Sequence, residues 1–238
     1  KKTPKITIPA PAMLYHRGGR AKVSMDVYPD LEVMWKDVSN AYATEIADYA
    51  AAGCKYLQID DVSFAYLCDP KYRETFVKNG DDPEKLLRTY AGAINRAIAG
   101  RPADMAVTTH TCRGNFKNPW AASGGYEPVA ELLLNELNVD GYFMEFDSDR
   151  AGGFEPLRFL PKGKHVVLGL VTSKTGVLES RDALLRRIEE AAKHAPLDQL
   201  CLSPQCGFSS TVHGNNIAVE AQRAKLRLVV ETAQEVWG

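Results

Sequence analysis

Residues 33–61 read VMWKDVSNAYATEIADYAAAGCKYLQIDD, and the order of signals within them decides the fold. Apolar side chains recur at Val38, Tyr42, Ile46 and Tyr49, the spacing of one helix face, which predicts a helix over 33–52. Gly53 follows, a natural closing residue for that helix. Lys55-Tyr56-Leu57-Gln58-Ile59 is then a strand ending at Asp60-Asp61. The same alternation runs outward in both directions. Strands are expected at 5–8, 105–109, 141–144, 165–171 and 199–202. Helices are expected at 83–99, 127–137, 179–193 and 217–237. Strands alternating with helices imply βαβ units around a parallel sheet.

Six strands are legible, whereas a closed (β/α)8 barrel needs eight. The expected class is therefore α/β, a TIM-barrel type with about six β/α units present and the N-terminal strands missing. Residues 1–238 are expected to form a single catalytic barrel domain, the C-terminal portion of a longer protein or one completed by another chain. The irregular stretches 9–30, 61–82, 113–126 and 203–216 each follow a strand. Long loops at strand ends are the layout of a barrel whose site lies at its C-terminal face.

The chain has 238 residues, 45% of them apolar and 25% charged, and a net charge of -1. Disorder and coiled coil are excluded on that composition. The charge balance argues against a nucleic-acid partner. No run approaches the roughly 18 to 20 apolar residues of a membrane helix. Five cysteines, an odd and scattered set, point to reduced thiols and a cytoplasmic location. No Gly-x-Gly-x-x-Gly follows a strand, which disfavours a dinucleotide-binding fold.

Polar residues collect at strand ends. Asp60 and Asp61 end one strand, His110 and Cys112 another, and Glu145 a third, while Cys206 lies just past a fourth. In a parallel barrel these ends meet on one rim. His-x-Cys on an extended segment puts both side chains on one face. His, Cys, Glu and Cys together form a plausible tetrahedral zinc set. Singly, each is as well explained as a structural residue. Cys54 and Cys201 read as core, and Cys68 as a loop thiol open to reaction.

Thr109-His110-Thr111-Cys112, Met144-Glu145-Phe146 and Ser203-Pro204-Gln205-Cys206-Gly207 resemble the zinc-ligand motifs of cobalamin-independent methionine synthase. Leu57-Gln58-Ile59-Asp60-Asp61 is similar to that family's strand bearing the carboxylate that holds the substrate amine. Four separated motifs stand in the family's order, and the resemblance spans about residues 5–237. Pro9-Ala10-Pro11-Ala12-Met13-Leu14 with Arg17-Gly18-Gly19-Arg20 resembles the shorter bacterial methionine-synthase-like proteins.

The resemblance implies a (β/α)8 barrel holding zinc on His110, Cys112, Glu145 and Cys206. A thiol substrate such as homocysteine would bind the zinc and accept a methyl group from a folate or other donor. It implies Asp60 as a catalytic and substrate-binding carboxylate, with Asp61 and Glu145 also at the substrate. Asp61 departs from the family's usual Glu. Glu145, the weakest ligand for a borderline-soft metal, would yield to the incoming sulfur.

A second departure concerns the donor. The family's catalytic histidine has no counterpart in Gly169-Leu170-Val171-Thr172-Ser173-Lys174. Lys174 could replace it, although a solvated loop lysine is the plainer reading. His213, on a Gly/Ser/Asn-rich loop, is the other candidate acid. Phe116 and Trp120 could stack on a donor ring or cover the barrel mouth. Arg17, Arg20 and Arg113 could clamp a substrate carboxylate. The leading expectation is a zinc-dependent S-methyltransferase. The alternatives are alkyl transfer with another thiol or a non-folate donor, and a non-catalytic zinc- or thiol-binding homologue.

Overall fold

The structure is a computed structural model that describes residues 2–114, 121–209, 212 and 214–238. Six strands pair in chain order as one parallel sheet: β1 (Ile6–Pro9), β2 (Tyr56–Asp61), β3 (Ala106–Thr111), β4 (Gly141–Glu145), β5 (His165–Val171) and β6 (Leu200–Pro204). Among the described residues seven α-helices accompany them: α1 (Leu31–Ala51), α2 (Ser63–Cys68), α3 (Pro70–Lys78), α4 (Pro83–Ile98), α5 (Glu127–Glu131), α6 (Arg181–Ala191) and α7 (Val219–Trp237). The six-strand α/β expectation holds. Leu57, Ile59, Val107, Tyr142, Val166, Leu168 and Leu170 are all buried, as expected where helices cover a parallel sheet.

Local sequence sets the helix boundaries. Asp30 accepts from the Glu32 N–H at the start of α1, and Gly53, at φ +92°, turns the chain out of it. Asp82 accepts from the N–H groups of Glu84 and Lys85, and Pro83 occupies the first turn of α4, where its missing donor costs nothing. Leu87, Tyr90, Ala91, Ile94 and Ile98 line the buried face of α4, as the sequence predicts.

Three differences from the sequence reading have physical causes. The stretch 61–82 is not an irregular loop, because it holds α2 and α3. The first is buried along its whole length, so it shows no amphipathic period, and the second is capped by Asp69 with Pro70 behind it. The helix expected over 127–137 changes after α5 into a π-helical turn at Leu132–Glu136. Cys68 lies in α2 and is buried, and burial pushes its thiol up to about 11, so it is not an open reactive loop thiol.

Between β1 and α1, the segment opens with a 3₁₀ turn at Pro11–Leu14 that leads into the buried His16. The His16 ring lies 5.3 Å from Tyr66, and its Nδ1 is 3.3 Å from the Ala12 carbonyl. Burial lowers its pKa to about 4, partly opposed by that carbonyl and helped by the Arg17 charge. The folded chain therefore resists a proton that the unfolded chain accepts near pH 6.5. The stability that depends on neutral His16 is present above that pH and is lost as pH falls toward about 4. In urea melts the parent should lose on the order of 1–2 kcal/mol more than His16→Phe across this range. Parallel acid limbs for the two proteins would refute the assignment.

Candidate metal centre

The register of the sheet assembles the site. Asp60 on β2 pairs with His110 on β3, and His110 pairs with Phe143 on β4. One step up, Glu145 pairs with Gly169 on β5, and Gly169 pairs with Ser203 on β6. Parallel register partners point to one face, so these side chains stack in layers inside the curved sheet. They line a cavity of about 670 Å³ that also takes in Lys5, Gln58, Cys112 and Cys206.

At the C-terminal end of that cavity His110, Cys112 and Cys206 converge. One ligand atom from each lies within 4.8 Å of the others, a grouping that could hold a metal ion. The two sulfurs are 3.0 Å apart without a disulfide, and Cys206 Sγ is 3.7 Å from His110 Nε2. The donor set suits a borderline-soft cation. A tetrahedral zinc site, with Zn–S near 2.3 Å, holds two sulfurs roughly 3.8 Å apart, so a small spreading of the thiols accommodates the ion.

Asp60 Oδ1 accepts from His110 Nδ1–H at 2.8 Å, which leaves Nε2 directed toward the sulfurs. Gln58 Nε2 donates to the same oxygen at 2.9 Å, and Lys5 Nζ donates to Gln58 Oε1 at 2.7 Å. Lys5, just ahead of β1, thus joins Gln58 and Asp60 of β2 and His110 of β3 in one polar chain. Gly114, at φ +92°, donates its N–H to Cys112 Sγ at 3.2 Å. A Cβ there would meet the Ala121 main-chain nitrogen at 2.8 Å, so the turn requires glycine.

The thiols ionise unequally. The Cys206 hydrogen bond brings the Cys112 pKa down to about 7 against the cost of burial, with help from His110 and the Gly114 N–H. Cys206 is driven up because it donates to Cys112, because it is buried, and because the Cys112 thiolate is negative, while Lys174 pulls the other way. Burial disfavours a charged His110, but Asp60 and the negative charges of Cys112 and Glu145 outweigh it and raise its pKa. Burial likewise opposes the charge on Asp60, and His110, Gln58 and Lys5 outweigh it, so its pKa is lowered.

Glu145 stands apart from the three-residue cluster. Its backbone is fixed by Tyr126, whose hydroxyl accepts from the Glu145 N–H at 3.0 Å and donates to its carbonyl at 3.3 Å. Its carboxylate Oε1 lies 3.5 Å from Lys174 Nζ. Asp61 is fully buried, and its Oδ1 accepts from the Ser63 N–H and hydroxyl, both at 2.5 Å. That carboxylate secures the start of α2, and burial raises its pKa to about 6. Asp61 also lines the cavity, with Oδ1 engaged by Ser63.

Lys174 is not a solvated loop lysine, since it is 2% exposed. Arg113 is also buried, stacked 4.4 Å from the Tyr126 ring centroid, and does not line the cavity. Arg17 is exposed and Arg20 half-buried; neither lines the cavity. Cys54 and Cys201 are half-buried. Phe116, Trp120 and His213 lie outside the described residues. Gln58 and Lys5 are absent from the sequence-based site, although the two-residue spacing of Gln58 from Asp60 puts both on one strand face. Tyr126 and Gly114 carried no local signal.

Comparison with known proteins gives the family. Residues 23–235 match the family described as the cobalamin-independent synthase catalytic domain, and the chain belongs to that family. Bacillus subtilis YxjH is 50% identical over 99% of this chain and 62% of its own length. A crystal structure of a putative vitamin-B12-independent methionine synthase from Listeria monocytogenes superposes with a TM-score of 0.76 at 38% identity, over 99% of this chain and 64% of that one. A 5-methyltetrahydropteroyltriglutamate–homocysteine methyltransferase of Bacillus licheniformis is 23% identical over 84% of this chain and 23% of its own length. The chain spans somewhat under two thirds of the length of the first two relatives. Among the described residues, no helix is long and apolar enough to cross a membrane.

Asp60→Asn keeps the shape of the contact and removes its charge. It should weaken divalent-metal affinity by about 10- to 100-fold in a competitive chelator titration. Parent and variant should both bind more weakly as pH falls below about 7, because metal must displace protons from the thiols. An unchanged affinity in Asp60→Asn would remove Asp60 from the metal's outer shell.

Proposed function

We propose that this chain carries the thiol-activating centre of a zinc-dependent S-methyltransferase whose acceptor is a small thiol of the homocysteine type. The observation that carries the reading is the convergence of His110 Nε2, Cys112 Sγ and Cys206 Sγ at the C-terminal end of the cavity. Family membership, and the methyltransferase names borne by some relatives, support it. Zinc bound by these residues and Glu145 would supply Lewis-acid stabilisation of a substrate thiolate at neutral pH.

The chain's own residues would do the rest. Cys112 and Cys206 as thiolates, with Glu145, make the donor set electron-rich, which keeps a neighbouring sulfur nucleophilic. His110 is held in one tautomer by Asp60. The Asp60 side chain is 48% exposed, so its outer oxygen stays open to a substrate ammonium while Oδ1 orients His110. Asp60 would thus serve both the metal and the amino-acid substrate. The five free thiols suit a reducing, cytoplasmic setting.

One observation favours a second reading for the donor. Lys174, in the place where a proton donor to folate would be sought, is buried and engaged with Gln205 Oε1 at 2.6 Å. A methyl donor whose leaving group needs no proton, such as methylcobalamin, fits that arrangement better than a folate. Another thiol acceptor would use the same residues.

Purified chain loaded with zinc should be assayed with homocysteine and either methyltetrahydrofolate or methylcobalamin. Methionine should form faster from methylcobalamin. Cys206→Ser should lower the rate at least about 100-fold, because it removes a ligand and weakens the metal. Equal turnover by parent and Cys206→Ser would dismiss the centre as the site of chemistry.

A further inference from the structure

Lys174 and Glu145 form a buried ion pair that nothing in the metal-binding geometry requires. Lys174 is 2% exposed and Glu145 is 3% exposed, with Nζ to Oε1 at 3.5 Å. Lys174 Nζ also donates to Gln205 Oε1 at 2.6 Å, and the Thr172 hydroxyl donates to that same oxygen at 3.2 Å. The ammonium therefore sits between the end of β4 and the segment bearing Cys206. A charge in this position is costly unless paired.

We propose that Lys174 is a positioning residue: it receives the Glu145 carboxylate when a substrate thiol takes the place beside His110, Cys112 and Cys206. The inference rests on the proposed thiol-activating function. Three observations carry it. The three nitrogen and sulfur ligands gather without Glu145, whose carboxylate lies instead against Lys174. The Glu145 backbone is clamped at both its N–H and its carbonyl by the Tyr126 hydroxyl, so exchange is confined to side-chain torsions. Lys174 Nζ is also held by Gln205 Oε1 at 2.6 Å, one residue before Cys206, so the ammonium stands between Glu145 and the ligand-bearing segment.

The exchange breaks no covalent bond within the chain. The carboxylate leaves as an anion, the thiol enters as an anion after its proton passes to solvent, and the charge at the centre is conserved. Lys174 lowers the free energy of the displaced carboxylate and so favours thiol entry. Without it the displaced carboxylate would lose the buried ammonium that faces it at 3.5 Å.

The test uses Co²⁺-loaded chain titrated with homocysteine, read by the sulfur-to-cobalt charge-transfer absorption. The parent should gain intensity as a third sulfur joins. Lys174→Met should bind Co²⁺ within about threefold of the parent, while its apparent thiol Kd rises at least about tenfold. Lys174→Arg should recover most of the loss. In a Glu145→Gln background, where no carboxylate charge is displaced, the effect of Lys174→Met should shrink to less than about twofold. Thiol affinity unchanged in Lys174→Met, or an equal loss in the Glu145→Gln background, overturns the proposal and leaves the thiol-activating function standing. No thiol response in the parent overturns both.

Discussion

The parallel register that sets Asp60 beside His110 is the constraint on which the site depends. A slip of one residue between β2 and β3 would turn one of the two side chains to the opposite face. The Asp60–His110 hydrogen bond would break, and Nε2 would no longer be aimed at Cys206. The same register puts Phe143 and Glu145 in adjacent layers, and Gly169, the partner of Glu145, lets β4 and the Gln205 backbone approach closely. A Cβ on Gly169 would lie 3.0 Å from the Met144 carbonyl and 3.7 Å from the Gln205 Cα. The strand pairing therefore does more than hold the sheet. It brings residues 50, 94 and 96 positions apart into one cluster.

Electrostatics inside the cavity follow from this crowding. Two thiols at 3.0 Å cannot both ionise without a cation, so one becomes acidic at the expense of the other. The Asp60 carboxylate is matched by His110, Gln58 and Lys5, and the Glu145 carboxylate by Lys174. The site is anionic at its ligands and cationic one step behind them. That arrangement suits a divalent ion in front and a mobile carboxylate behind.

The fold was legible because its signals are local. Hydrophobic period, Asp-Pro caps and closing glycines each act within a few residues, and all six strands could be found from them. The candidate ligands were legible for a related reason: a polar side chain ending an apolar strand has few structural explanations. What escaped was decided by distant partners. Fully buried, α2 lacks the two-faced pattern by which helices are read, so Cys68 passed for a loop residue. Lys174 gave no sign of burial, because its partners lie far along the chain, Glu145 at the end of β4 and Gln205 just past β6.

The central claim is that His110, Cys112 and Cys206 hold a metal whose remaining position is exchangeable for a thiol. Zinc K-edge absorption on the loaded chain, with and without homocysteine, tests it most directly. The account predicts two sulfurs with one nitrogen and an oxygen in the resting protein, and a third sulfur replacing the oxygen when homocysteine is added. A shell that is unchanged by the thiol, or one lacking the two cysteine sulfurs, would contradict it.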